Sequence, residues 1–152
     1  AQETDRFNIS VQPLWGPTGY YYVNYYYLPD MDAYYSVPQR AFIYWRGDHW
    51  IRTRNVPPGY AGYNFYRGYK VVLNEENPWL NHDYHREHYY RFRGNHDQPL
   101  IRESREERYW ENPEHPQHAK WHGNAGLRNE WSKEEQEERG KAHHGLFGRR
   151  KD

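Results

Sequence analysis

The segment YYYVNYYYLPDMDAYY, from Tyr20 to Tyr35, places eight tyrosines in sixteen residues and is broken once, at Leu28-Pro29-Asp30. Tyrosine favours extended backbone, and successive side chains of a strand point to opposite faces. Consecutive tyrosines therefore put rings on both faces of whatever sheet they join. One face can be core. The other must be covered by the later half of the chain, by a partner, or be left partly wet. Each ring buries about 150–250 Å², so a few rings replace many aliphatics, but each hydroxyl needs a hydrogen-bond partner or the surface.

The same texture continues. YYVNYYYL, DAYYSV, AFIYWR and HWIRTRNV are short runs of aromatic and β-branched residues, the composition of strands. Leu28-Pro29-Asp30, Val37-Pro38-Gln39-Arg40 and Arg46-Gly47-Asp48 separate them as turns, which predicts an antiparallel meander. In the third run Phe42 and Tyr44 share one face, and Ile43 and Trp45 the other. In the fourth, Trp50 and Arg52 oppose Ile51 and Thr53. After Val56-Pro57-Pro58-Gly59, Tyr60, Tyr63 and Tyr66 recur every third residue, but Gly62 and Gly68 weaken a helix there. KVVLN, Lys70 to Asn74, is the most aliphatic run and predicts a further, central strand.

The chain changes character near residue 77. Sixteen of the 17 tyrosines lie before Arg91, and nine of the ten histidines lie from His82 onward. Asn77-Pro78 predicts the start of a helix and Gly94 its stop. LIRESREERYW predicts a second helix, NPEHPQHAKWHGNAG a loop, and LRNEWSKEEQEERG a third helix with only Leu127 and Trp131 to bury. The fold class expected is α+β: a small Tyr/Trp-rich antiparallel meander of about four to five strands, followed by charged helices and a flexible C-terminal tail. The organisation expected is an N-terminal extension over 1–19, the aromatic meander over 20–76, a His-rich helical segment packed on the sheet over 77–122, and a charged helix and tail over 123–152.

Twenty-one Lys and Arg balance 21 Asp and Glu, so no global field draws the chain to nucleic acid or to an anionic membrane. There is no cysteine, which removes disulfides, thiolate chemistry and Cys-ligated zinc. No run of about 18 apolar residues marks a transmembrane helix. The beginning, Ala1-Gln2-Glu3, reads as a mature end left by signal-peptide cleavage.

The stretch WGPTGYYYVNYYYLPDMDAYYSVPQRAFIYWRGDHWIRTRNVPP resembles a group of small exported proteins common in Bacteroidota. The later YNFYRGYKVVLNEENPWLNHDYHREHY and LIRESREERYWENPEHPQHAKW are similar to that group too. The resemblance rests on Tyr-Tyr-Leu-Pro-Asp before a tyrosine pair, a Gly-containing hairpin flanked by aromatics, and Tyr-Arg-Gly-Tyr-Lys-Val-Val; it covers Trp15 to Trp121. It implies export to a periplasmic or outer-membrane-associated location, and brings no activity with it.

Three classes of site follow from the residues. Tyr25, Tyr27, Trp45, Trp50, Tyr63 and Trp79 are the expected contact rings; aromatics serve protein interfaces and stack on sugars, with a tyrosine-built core as the alternative. A protein partner in the cell envelope is the leading expectation and a polysaccharide the second. His82, His85 and His88 recur every third residue of a predicted helix, and His115, His118 and His122 follow in the predicted loop. Together they offer imidazoles for Zn or Cu, against the plainer reading of a solvated His-rich surface. Asp30 and Asp32 read as turn formers. Ser10, Ser36, Ser104 and Ser132 sit in no nucleophile elbow, and Glu103, Glu106 and Glu107 alternate with arginines as surface ion pairs do, so no catalytic constellation is expected.

Overall fold

The computed structural model describes residues 7–94 and 98–123. The chain divides into two compact units, Ala1–His115 and Pro116–Asp152. In the first, strands β1 (Tyr25–Leu28), β2 (Ala33–Ser36), β3 (Ala41–Arg46), β4 (His49–Thr53) and β5 (Val71–Leu73) form one antiparallel sheet in the order β4-β3-β2-β1-β5. The α+β class and the meander are as the sequence predicts. Arg46 pairs with His49, leaving a two-residue loop in which Gly47 takes φ +70°. That positive φ is why Gly stands at the first loop position of so tight a hairpin.

KVVLN departs from expectation. It is a three-residue edge strand on β1, and β2 is the middle of the sheet. The free backbone of Lys70 is met by a side chain instead. Gln98 Oε1 accepts from Lys70 N at 2.9 Å and Gln98 Nε2 donates to Lys70 O at 2.8 Å. Asn8 treats Val23 in the same way, at 3.0 and 2.8 Å. Side-chain amides thus complete ladders that no further strand supplies.

Both faces of the sheet are packed. Tyr26, Leu28, Ala33 and Phe42 face one layer, closed by Val11, Trp15, Val56, Tyr60, Tyr63 and Phe65. Trp15 lies 5.0 Å from both Tyr35 and Phe65, ring centroid to centroid. Tyr25, Tyr27, Tyr34, Ile43 and Leu73 face the other layer, closed by Trp50, Trp79 and Tyr89. The alternation read from AFIYWR is what assigns Phe42 and Ile43 to different layers.

The expected first helix is a broken rod. It runs as a 3-10 turn (Pro78–Asn81), helix α1 (His82–His88) and a second 3-10 turn (Tyr90–Phe92). Asn77 adopts a left-handed φ of +47° and its side chain caps nothing, while Gly94, at φ +72°, ends the segment as predicted. The expected second helix is absent, replaced by 3-10 turns at Ile101–Glu103 and Glu107–Tyr109. The break falls at Ser104 and Glu106, both extended at ψ 139° and 128°, where the Ser104 hydroxyl accepts from Glu106 N at 3.0 Å in place of a helical carbonyl. Ile101 N donates to Gly16 O and Arg102 N to Leu14 O, at 2.9 and 3.1 Å. Ile101 and Tyr109 then bury against Ile9.

The second unit contains helix α2 (His118–Gly123), where a loop was expected, with Trp121 N donating to Gln117 O at 2.9 Å. Pro116 precedes the helix, where its missing N–H costs nothing, and Gly123 is its last described residue. The expected third helix and tail lie outside the described residues. Among the described residues no helix is long and apolar enough to cross a membrane.

Candidate functional site

The hairpin β3–β4 carries Trp45 and Trp50 side by side on one face, as a directly opposed pair. Their rings meet edge to face at 5.3 Å. Trp45 is 50% exposed. The turn before α1 brings Trp79 and Leu80 to the same place, and α1 adds His82, Asp83 and Arg86. These seven side chains line a cleft of about 340 Å³. Leu80, at 76% exposed, stands at its edge. A second cleft of about 420 Å³ shares Trp45, His82 and Arg86 and extends past Met31, Tyr44, Pro57 and Tyr60. Trp45 is therefore a ridge between two hollows.

Beneath the ridge lies a polar layer that fixes the floor. His82 Nε2 donates to Asp32 Oδ1 at 2.8 Å, and Tyr27 Oη donates to the same oxygen at 2.6 Å. Arg86 lies 4.0 Å from Asp32 Oδ2 and 3.1 Å from Asp83. Burial of Asp32 opposes its ionisation, but the hydrogen bonds from His82 and Tyr27 and the Arg86 charge outweigh it and hold the carboxyl below its usual value. Asp32 occupies the left-handed region at φ +54°, a conformation Asp tolerates better than most residues. The turn-forming role expected of Asp32 thus also delivers a carboxylate under the cleft. Asp30 turns the other way, accepting from Tyr63 Oη at 2.6 Å and Gly94 N at 2.9 Å.

Deeper still, His85 is buried. Its Nε2 lies 3.1 Å from Glu75 Oε2 and its Nδ1 2.7 Å from Tyr34 Oη. The carboxylate can only accept, so Nε2 carries the proton and Nδ1 accepts from the tyrosine. Burial pushes the His85 imidazole below its ordinary value against the pull of Glu75. The trio has the order of a carboxylate–imidazole–hydroxyl relay, but it ends at Tyr34, which is 0% exposed. Burial also raises the Tyr34 phenol well above its ordinary value. That oxygen lies inside the core, where the Tyr34–His85 bond ties α1 to the sheet.

Of the six expected contact rings, Trp45, Trp50 and Trp79 converge on the cleft. Tyr25 and Tyr27 do not: both are core, fixed there by the strand alternation that buries Tyr34 and Ile43 beside them. Tyr63 is half-buried in the opposite layer, edge to face with Phe65 at 4.9 Å. Among the described residues the surplus of exposed rings is smaller than the tyrosine count suggests; Tyr20, Trp45, Tyr84 and Tyr90 are the exposed Tyr and Trp side chains there.

Among the described residues the histidines do not assemble. His82 serves the cleft floor and His85 the interior, while His88 is exposed and stacks on Tyr84 at 5.0 Å. His115 is buried, its ring 6.5 Å from Trp110. His118 lies 5.6 Å from Trp121 in α2, and the side chain of His122 lies outside the described residues. Among the described residues no three His, Asp or Glu side chains are placed to hold a metal ion. Spacing alone suggested a ligand row; burial and the demands of Asp32, Glu75 and Tyr34 take its nitrogens.

Sequence reasoning missed Leu80, Arg86 and Arg52 at this site. Arg52 shares the β4 face of Trp50, a position legible from alternation, and its guanidinium sits 5.6 Å from the centroid of Trp79. No protein-family model, curated protein or solved structure matches the chain.

Proposed function

We propose that the chain is a non-enzymatic interaction protein of the cell envelope that docks on a protein partner through the Trp45 ridge. The observation that carries this reading is a half-exposed tryptophan next to an exposed leucine, seated on a rigid polar floor with an Arg–Asp rim. Trp and Arg dominate the residues whose truncation weakens protein interfaces most, and Trp45, Trp50, Trp79 and Arg86 supply both here. The floor is preorganised by Asp32, so little ordering cost is left for binding. The envelope setting rests on the resemblance of Trp15 to Trp121 described above.

The test is capture from an envelope extract by the immobilised chain, compared with Trp45→Ser and Leu80→Ser. Both side chains are exposed, so the variants retain the fold. A defined partner retained by the native chain and lost by both variants supports the reading. Equal capture by all three, or a monomer in sedimentation with nothing bound, removes it. A glycan is the second reading, favoured by the flat Trp45 ring beside polar Asp83 and Arg86; glycan-array binding lost on Trp50→Ala would carry it.

A further inference from the structure

Beside the two clefts at the tryptophan ridge the described residues form a third, chemically distinct hollow. Pro38, Gln39, Arg40, Ala41, Arg52, Thr53 and Arg54 line an open cleft of about 740 Å³. Three of its seven lining residues are arginines, and none is acidic. All three arginines are exposed. None forms an ion pair with another described residue. In a chain of zero net charge this concentrates positive potential on one small area.

Local structure explains the gathering. Arg40 ends the β2–β3 turn in the left-handed region, at φ +54°. Arg52 lies across from Ile43 in the β3–β4 ladder, and Arg54 follows the end of β4. Arg52 is held on one side by Gln39, whose Oε1 accepts from its guanidinium, and on the other by the Trp79 ring. Trp79 is itself a wall of the tryptophan cleft. Arg52 therefore joins the two hollows into a single face, aromatic at one end and cationic at the other.

We propose that this arginine cleft is the charge-reading half of the docking surface and receives the carboxylates of an acidic segment of the partner protein, whose neighbouring apolar side chain lies on Trp45. This rests on the docking reading above. Guanidinium groups present paired donors that match carboxylate geometry, and an arginine cluster without internal acids is complementary to such a segment. The pairing of an apolar anchor with a charged rim favours a peptide over a bare polyanion, which would use the arginines and leave Trp45 unused.

The test uses the full chain and a short fluorescein-labelled Glu/Leu peptide, read by anisotropy at low ionic strength, with a Gln/Leu peptide as control. The acidic peptide should bind, weaken as salt rises, and lose about threefold in affinity with Arg40→Gln or Arg54→Gln. The double variant should lose roughly tenfold, and Trp45→Ser should weaken binding independently. Inorganic phosphate and polygalacturonate serve as competitors. Unchanged affinity in the double variant overturns the proposal. So does equal binding of the Gln/Leu peptide, or displacement by phosphate at equal concentration. Tight binding of polygalacturonate without peptide binding replaces it with an acidic-glycan site. If the peptide fails while Trp45→Ser still abolishes capture of the envelope partner, only the acidic-segment inference falls. If Trp45→Ser leaves that capture intact, the docking reading falls and this inference with it.

Discussion

Tyr26 and Tyr34 are paired-strand neighbours in the middle of the sheet, both 0% exposed, on opposite faces. Removing one oxygen from each should move stability in opposite directions. Tyr34 Oη donates to His85 Nδ1 at 2.7 Å. Tyr26 Oη has no hydrogen-bond partner among the described residues. It is pressed against Gly16, where a Cβ would lie only 2.1 Å from it. A buried hydroxyl without a partner forfeits its hydration, worth about 1–3 kcal/mol. Tyr26→Phe lifts that penalty and leaves a void costing about 0.3 kcal/mol, for a net gain of about 1 kcal/mol. Tyr34→Phe instead strips a buried imidazole of its donor, a loss of about 2 kcal/mol. With a urea m-value of about 2 kcal/mol/M for a domain this size, the midpoint rises by roughly 0.5 M for Tyr26→Phe and falls by roughly 1 M for Tyr34→Phe. Urea titrations followed by tryptophan fluorescence read both. If Tyr26→Phe is as destabilising as Tyr34→Phe, the hydroxyl of Tyr26 is satisfied and the reasoning fails.

Three further predictions test other parts of the fold. Burial lowers the His85 pKa despite Glu75, so below the ordinary imidazole value of about 6.5 the unfolded chain takes up a proton that the folded chain refuses. Stability should therefore fall as pH drops from 7 toward 5. His85→Gln, less stable at pH 7, should show a shallower slope; an equal slope would place the sensitivity elsewhere. Gly68→Ala puts a Cβ 1.6 Å from Tyr63 Oη and 3.0 Å from Asp30 Oδ2, breaking their hydrogen bond at a cost of about 2 kcal/mol. Tyr63→Leu in the same chain should recover part of that loss in thermal melts. Burial lowers Lys70 to about 8; its ammonium donates to Phe65 O at 2.8 Å and Gly68 O at 2.6 Å. An NMR titration should find one lysine Cε resonance shifting near that pH, with no such resonance in Lys70→Met.

Local chemistry makes much of this protein legible in the sequence. Four strands and their turns follow from β-branched and aromatic runs cut by Pro, Gly and Asp, because strand pairing between near neighbours in sequence needs little beyond local propensity and turn geometry. Alternation assigned Phe42 and Ile43 to opposite faces, and the register of the two-residue hairpin then set Trp45 opposite Trp50. Tertiary structure decided the remainder, since each outcome depends on what a distant segment brings. Gln98 completes the edge at Lys70, and the Leu14–Gly16 backbone ties down Ile101 and Arg102. Asp32, Glu75 and Tyr34 occupy the ring nitrogens of His82 and His85 that periodicity alone offered to a metal. The same long-range packing buries Tyr25 and Tyr27 while leaving Trp45 half in water. Ring content can be counted along a chain, but exposure is a property of what folds over each ring.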